Sequence, residues 1–559
     1  MSATSSTDFS GEASSSPTAA EQETQPAEAA NEYEDAEKNY QPRSLKFWSV
    51  MIGMYLAMFL VALDRTIVAT PIAKITDEFD SLSDVGWYGS AYMVTCACGN
   101  PVAGRLYQLY PTRTVFVLSI LVFEVGSVVC GAAPSSVAFI IGRAVAGLGA
   151  AGIFSGSVMI MLPLVPLRKR PLYSSIFGAT FAVSSVVGPI LGGAFADKVT
   201  WRWCFYINLP IGALTLTTTL LFFRFDVPKK PGGPLPDQLK RLDPLGLLFF
   251  APSMICLVIA FQWAGSKYEW SNPKIIGLMV TFGVTLLIFI AIEAKMPMTA
   301  IAPGSVVANR SMAGGLTFMF TSAGAMMTII YYLSLWFQTV RGDSPMDAGI
   351  HSVPLILALV ITGILAAGLT QRIGYYVPVM LLGPIPASVG AGMLSTLTSG
   401  APTSHWMGYQ VLYGVGLGFA FQSTSLIAQT VLPRKDVPIG IALGFLMQQL
   451  GGSVFVAVAQ NIFTTALTRR LRGVPGLDVR PIVDGGATEL RSVVPEGKLA
   501  AVLDIYSHAL TRTFLLAAAL SAASFFAATV VEWRSIKKGK GLPGASKTGK
   551  DEAEKGLAR

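Results

Sequence analysis

The sequence predicts an all-α polytopic membrane protein. Three observations carry that reading. Of 559 residues, 52% are hydrophobic and only 13% charged. Mean hydropathy is +0.55. Apolar stretches long enough to cross about 30 Å of hydrocarbon recur along the chain, a composition too poor in charge for a soluble protein of this size.

The stretches fall at 46–69, 86–108, 114–133, 137–162, 172–196, 203–224, 244–264, 274–294, 311–337, 347–370, 376–397, 405–430, 437–464 and 510–531, fourteen spans in all. An even count puts both termini on one side of the membrane. The basic groups Arg168, Lys169 and Arg170, Lys229 and Lys230, and Arg434 and Lys435 fall in short loops on that side, which makes it cytoplasmic. Residues 1–45 form a tail rich in Ser, Thr, Ala, Glu and Gln, too poor in apolar residues to fold and without the basic, apolar start of a signal peptide. Residues 46–224 form a first six-span unit, and 225–300 a linker with two additional spans. Residues 301–531 form a second six-span unit with a long outer loop at 465–509, and 532–559 a basic cytoplasmic tail. GRLYQLYPTR at 104–113 and GLTQRIGYY at 368–376 are glycine-led basic loops closing the second and tenth spans, so the two units repeat in parallel.

Several functions are excluded by what the chain lacks. A net charge of +8 without a basic, aromatic platform argues against nucleic acid. Cys96, Cys98, Cys130, Cys204 and Cys256 lie in or beside apolar spans, and the histidines stand apart at 351, 405 and 508, so neither a disulfide framework nor a metal site is expected. Those dispersed histidines also fail to assemble the constellation a membrane-embedded transferase needs, so the chain does not read as an enzyme. No GxxxxGK[ST] cradle exists for ATP, and no cofactor is expected; a proton gradient is the remaining energy source.

Two motifs stand out on consecutive spans. GRAVAGLGAAG, 142–152, places Arg143 near the start of an apolar helix, where a fixed charge is costly. GATFAVSSVVGPILGG, 178–193, sets Gly178, Ala182, Ser185, Pro189, Gly192 and Ala196 on one helix face. Such small side chains let a second helix pack closely, and Pro189 is expected to bend the helix. These stretches resemble the fourth-helix arginine motif and the fifth-helix GPxxGG antiporter motif of the major facilitator superfamily. LDRTIVATPI, 63–72, and WRWCFYINLPIG, 201–212, resemble hallmarks of its fourteen-span drug:proton antiporter branch, fungal toxin and multidrug efflux pumps in particular. The resemblance implies the major facilitator fold and roles for Arg143 in coupling, for Gly178, Gly188, Pro189, Gly192 and Gly193 as the antiporter motif, and for Gly104, Arg105 and Arg113 at the inner loop. There the sequence departs from the common pattern: Gln108 stands near the place of an aspartate and Pro111 replaces a glycine.

A proton-driven exporter needs an acid inside the membrane that loads and releases a proton. Glu124, mid-span in LSILVFEVGSVVC, is one candidate, with a hydrogen-bonded structural acid as the alternative reading. Asp64, toward the outer end of the first span and expected within reach of water, is the second. The second unit offers amides and aromatics, among them Trp336, Gln338, Gln422 and Gln448, as a cavity wall without a fixed charge cluster, suited to a bulky and largely uncharged or weakly polar organic solute. The expected function is therefore efflux of an amphipathic toxin, secondary metabolite or antifungal drug, coupled to proton entry. The expected protein is a monomer in the cell membrane, or alternatively the vacuolar membrane, with the lipid bilayer, protons and a small organic substrate as its partners. Import of a siderophore or nutrient, or a non-transporting sensor on the same fold, are the alternatives.

Overall fold

The computed structural model describes residues 36–37, 39–68, 70–79, 84–223, 234, 238, 240–264, 268–296, 299–420, 423–475 and 494–537. Most of the two tails, Lys229, Lys230 and Gln422 lie outside them. Among the described residues the principal elements are α1 (Leu45–Ile67), α2 (Val85–Leu109), α3 (Thr112–Gly131), α4 (Ser136–Met161), α5 (Arg170–Lys198) and α6 (Asn208–Phe222). They continue with α7 (Pro244–Trp263), α8 (Pro273–Lys295), α9 (Arg310–Trp336), α10 (Val353–Ile373), α11 (Pro384–Leu394), α12 (Thr403–Ala420), α13 (Val437–Leu471) and α14 (Glu496–Thr529). Each expected span is helical over most of its length.

Twelve helices among the described residues are long and apolar enough to cross a membrane. Helices α2 and α5 fall outside that set. Both stand between the halves, where α2 carries Asn100, Arg105 and Gln108 and α5 its glycines, serines and Pro189. Helix α5 continues as one element through Pro189.

The two six-helix units repeat one packing pattern. In the first, α1 packs on α5 and α6, α2 on α4, and α3 on α4 and α6; in the second, α9 packs on α13 and α14, α10 on α12, and α11 on α12 and α14. The units meet along two seams related by that repeat, α2 against α13 and α10 against α5. The inserted α7 and α8 pack on each other, and α7 rests on α2 and α13. Exposed Leu287, Leu365 and Phe526, each more than 60% accessible, show the outward apolar surface a bilayer covers.

One boundary differs from expectation. The loop expected at 465–509 is shorter, because α13 runs on to Leu471 and α14 starts at Glu496. The added turns carry buried Leu467, Leu471, Val502 and Tyr506, which join the second unit's apolar core. Burial of those side chains favours helix where the sequence alone suggests loop.

Asn309 closes the start of α9: its side-chain oxygen accepts from the Ser311 and Met312 N–H groups at 3.1 and 3.2 Å. That cap is worth about 1 kcal/mol. The sequon Asn309-Arg310-Ser311 lies at the end of the bundle where α1 begins, the side expected to face the cytosol. Mass spectrometry of the protein from its native membrane should find Asn309 unmodified; a glycan there would invert the assignment of sides.

Candidate transport site

The first site is a buried ion pair. Asp64 of α1 and Arg143 of α4 meet at 2.5 Å with side chains no more than 2% exposed. Arg143 Nε also donates to the Tyr88 carbonyl at 3.0 Å, and its guanidinium lies 4.5 Å from the Tyr92 ring centre. Asn208 of α6 donates to the second Asp64 oxygen at 3.3 Å and to Ser127 of α3 at 3.1 Å. Charges this deep persist only when their donors and acceptors are satisfied. Asp64 is thus enclosed, not reached by water as its place near the end of the span suggests, because α2, α4 and α6 close over it.

Glu124 sits one turn before Ser127 on α3, 8% exposed, and neither carboxyl oxygen has a hydrogen-bond partner. Its carboxyl lies against Gly212 of α6, where a Cβ has no room. Tyr88, Tyr92, Asn208 and Ser127 are the members of this cluster that sequence reasoning missed; for Asn208 a lone amide inside the apolar YINLPIG run was the available signal.

The second site is a narrow cavity of about 30 Å³ between the halves, walled by Met58, Phe154, Phe177, Phe181 and Phe445 and edged by Arg65, Asn100, Gln448 and Gln449. The Phe154 and Phe445 rings meet across it at 5.2 Å. Gln448 stands where expected. Trp336 does not: it is fully buried in the second core and donates to Ser507 Oγ at 3.0 Å. Gln338 lies beyond α9 and bonds Ser334 at 3.2 Å, away from the cavity. Gln422 is outside the described residues. The wall, expected to lack a fixed charge cluster, carries Arg65.

The end of the bundle where α1 begins is closed by contacts across the halves. Gly104 of α2 lies so close to α13 that a Cβ would stand 2.7 Å from the Ala442 Cβ and 3.1 Å from the Pro438 carbonyl. Arg105 donates to Gln108, whose amide donates in turn to Asp436 Oδ1 at 3.2 Å. Gln108 therefore makes the crossing bond with a neutral donor. Arg113 stays within its own half, donating to the Leu220 carbonyl at 2.5 Å. Arg170 joins this end, bonding the Leu162 and Val165 carbonyls at 2.8 Å and Gln429 at 3.4 Å.

At the opposite end, Arg202 donates to the Gly131 and Ala133 carbonyls that finish α3 and pairs with Glu78 at 2.8 Å. The Trp201 indole N–H, outweighing burial, and the Arg202 guanidinium hold Glu78 below the ordinary carboxylate range.

The antiporter motif divides its work. Gly178 lines a cleft facing α10, whereas Gly188 and Gly192 seat α5 on α1 of the same half. The close packing is thus partly within one unit and partly between units.

A family model described as Major Facilitator Superfamily matches residues 54–456. The chain belongs to the major facilitator superfamily. It is a multi-pass membrane transporter, not an enzyme. Efflux pump aflT of Aspergillus parasiticus is 44% identical over 511 residues, covering 90% of this chain and 99% of that pump. MFS-type efflux pump MFS1 of Arthroderma benhamiae is 43% identical over 516 residues, covering 92% and 96%. The solved proton:xylose symporter XylE shares the fold with a TM-score of 0.55 at 14% identity, over 89% of this chain and 97% of that one.

Adjacent glycines of α5 separate packing from composition. A Cβ on Gly192 would stand 2.5 Å from the Ile67 carbonyl oxygen, while one on Gly193 meets nothing within 4 Å. Gly192→Ala should destabilise the protein by about 1–3 kcal/mol and reduce transport. Gly193→Ala should be neutral or stabilising by up to about 1 kcal/mol. Thermal melting in detergent and transport assays check the pair, and equal behaviour would refute the α1–α5 contact.

Proposed function

We propose that the chain exports amphipathic organic compounds, such as toxins, other secondary metabolites or antifungal drugs, in exchange for protons. It acts as a monomer with fourteen spans in the cell membrane, both termini in the cytosol. The observation that carries this reading is the adjacency of Asp64 and Arg65 on α1: one holds the buried Arg143, and the next edges the cavity between the halves. A proton arriving on Asp64 cancels its charge and leaves Arg143 without its partner. Removing one charge from a buried pair costs about 3–5 kcal/mol, enough to shift a balance between two arrangements of the halves. Because Arg65 is the next residue, any movement of α1 reshapes the cavity edge.

Glu124 is the second proton carrier. It lacks a hydrogen-bond partner, and an ionised carboxylate without one is costly at such depth, so it holds its place as the neutral acid. No cofactor is needed beyond the proton gradient. The efflux-pump names of the relatives support the outward direction, and the near-complete coverage of both chains supports transfer of that reading.

Inside-out vesicles with an acidic interior should accumulate a labelled aromatic substrate and release it when a protonophore is added. Accumulation only in right-side-out vesicles would make the protein an importer. Glu124→Gln should flatten the dependence of transport on pH while leaving substrate exchange measurable. An unchanged pH profile in that variant would make Glu124 a structural acid.

A further inference from the structure

We propose that the central cavity selects aromatic organic anions, carboxylates or phenolates carried on a ring system, over neutral and cationic compounds of the same shape. The proposal rests on the efflux reading above and names its substrate class. Arg65 is the one charged residue on the cavity wall among the described residues. Its partners set it apart from Arg143: among the described residues Arg65 has no carboxylate and no hydrogen-bond acceptor, only the Phe181 ring 5.8 Å from its guanidinium carbon. A guanidinium carries five N–H donors in a planar fork suited to an oxyanion, and an aromatic face at that distance satisfies none of them by hydrogen bonding. The acid beside it in sequence is already committed, since both Asp64 oxygens face Arg143 and Asn208.

Two amides extend the polar edge. Asn100 is fully buried, and it and Gln449 both lie within reach of the buried Cys96 thiol beside the cavity. Both amides are suited to the remaining lone pairs of an acid group or to ring hydroxyls. The rest of the wall is Gln448, Met58 and four phenylalanines, whose rings take planar apolar bodies by stacking. One fixed cation at the edge of an aromatic slot therefore gives a site for a flat body with one acidic group. The same cation repels quaternary ammonium compounds, for which aromatic walls alone would be well suited.

The test uses full-length protein in detergent and equilibrium binding of three labelled probes with one ring system: 2-naphthoate, 2-naphthamide and trimethyl(2-naphthyl)ammonium. A charge-assisted hydrogen bond in a dry site is worth about tenfold or more in affinity. The naphthoate should bind about tenfold more tightly than the amide, and the ammonium probe most weakly. Arg65→Gln should bring the naphthoate-to-amide ratio to about one, and Arg65→Lys should keep part of it. Equal binding of naphthoate and amide to the unaltered protein, or an unchanged ratio in Arg65→Gln, would overturn the anion assignment while leaving efflux through this cavity standing. Binding of none of the three, or binding that Phe177→Ala leaves untouched, would overturn both.

Discussion

The buried pair of Asp64 and Arg143 is the constraint on which the first half depends. Taking two charges out of water costs several kcal/mol each, and their attraction repays it only with well-satisfied geometry. The protein meets that condition with the Tyr88 carbonyl, the Tyr92 ring and the Asn208 amide, so α1, α2, α4 and α6 are held by one polar knot. Well-packed apolar residues could hold four helices at least as firmly. The charges therefore point to use, and the use is tied to position: Asp64 precedes the residue that edges the cavity.

The halves are joined differently. Their seams, α2 with α13 and α5 with α10, are lined by small residues, and at one end by Gln108, Asp436, Arg170 and Gln429. A hydrogen bond of this kind contributes only about 0.5–1.5 kcal/mol net, more where a charge takes part. A seam closed by a few such bonds can reopen. At position 108 the bond across the seam is made by an amide, which donates to Asp436. The chemistry thus matches rigid halves moving against one another.

Much of this was legible in the sequence because membrane helices announce themselves by length and apolarity. The apolar helices and the buried charge at Arg143 were visible in the pattern of the sequence. Partnership was not. Asp64 and Arg143 are far apart in sequence, and nothing in either apolar run says that they meet. Arg65 stands beside Asp64 yet serves a different space, because one residue on a helix turns the side chain by about 100°. Trp336 looked like a cavity aromatic, but only packing shows its indole bonded to Ser507 in the second core. The extra turns of α13 and α14 were missed for a related reason: their apolar residues are spaced for a helix face, not for a span.

The claim that proton and substrate work through the α1 knot is tested most directly by proton release on substrate binding, read with a pH dye in weakly buffered detergent solution. Added substrate should release protons from the unaltered protein, and Asp64→Asn should abolish or sharply reduce that release while still binding substrate. Full proton release from Asp64→Asn, or none from the unaltered protein at any pH, would contradict the account.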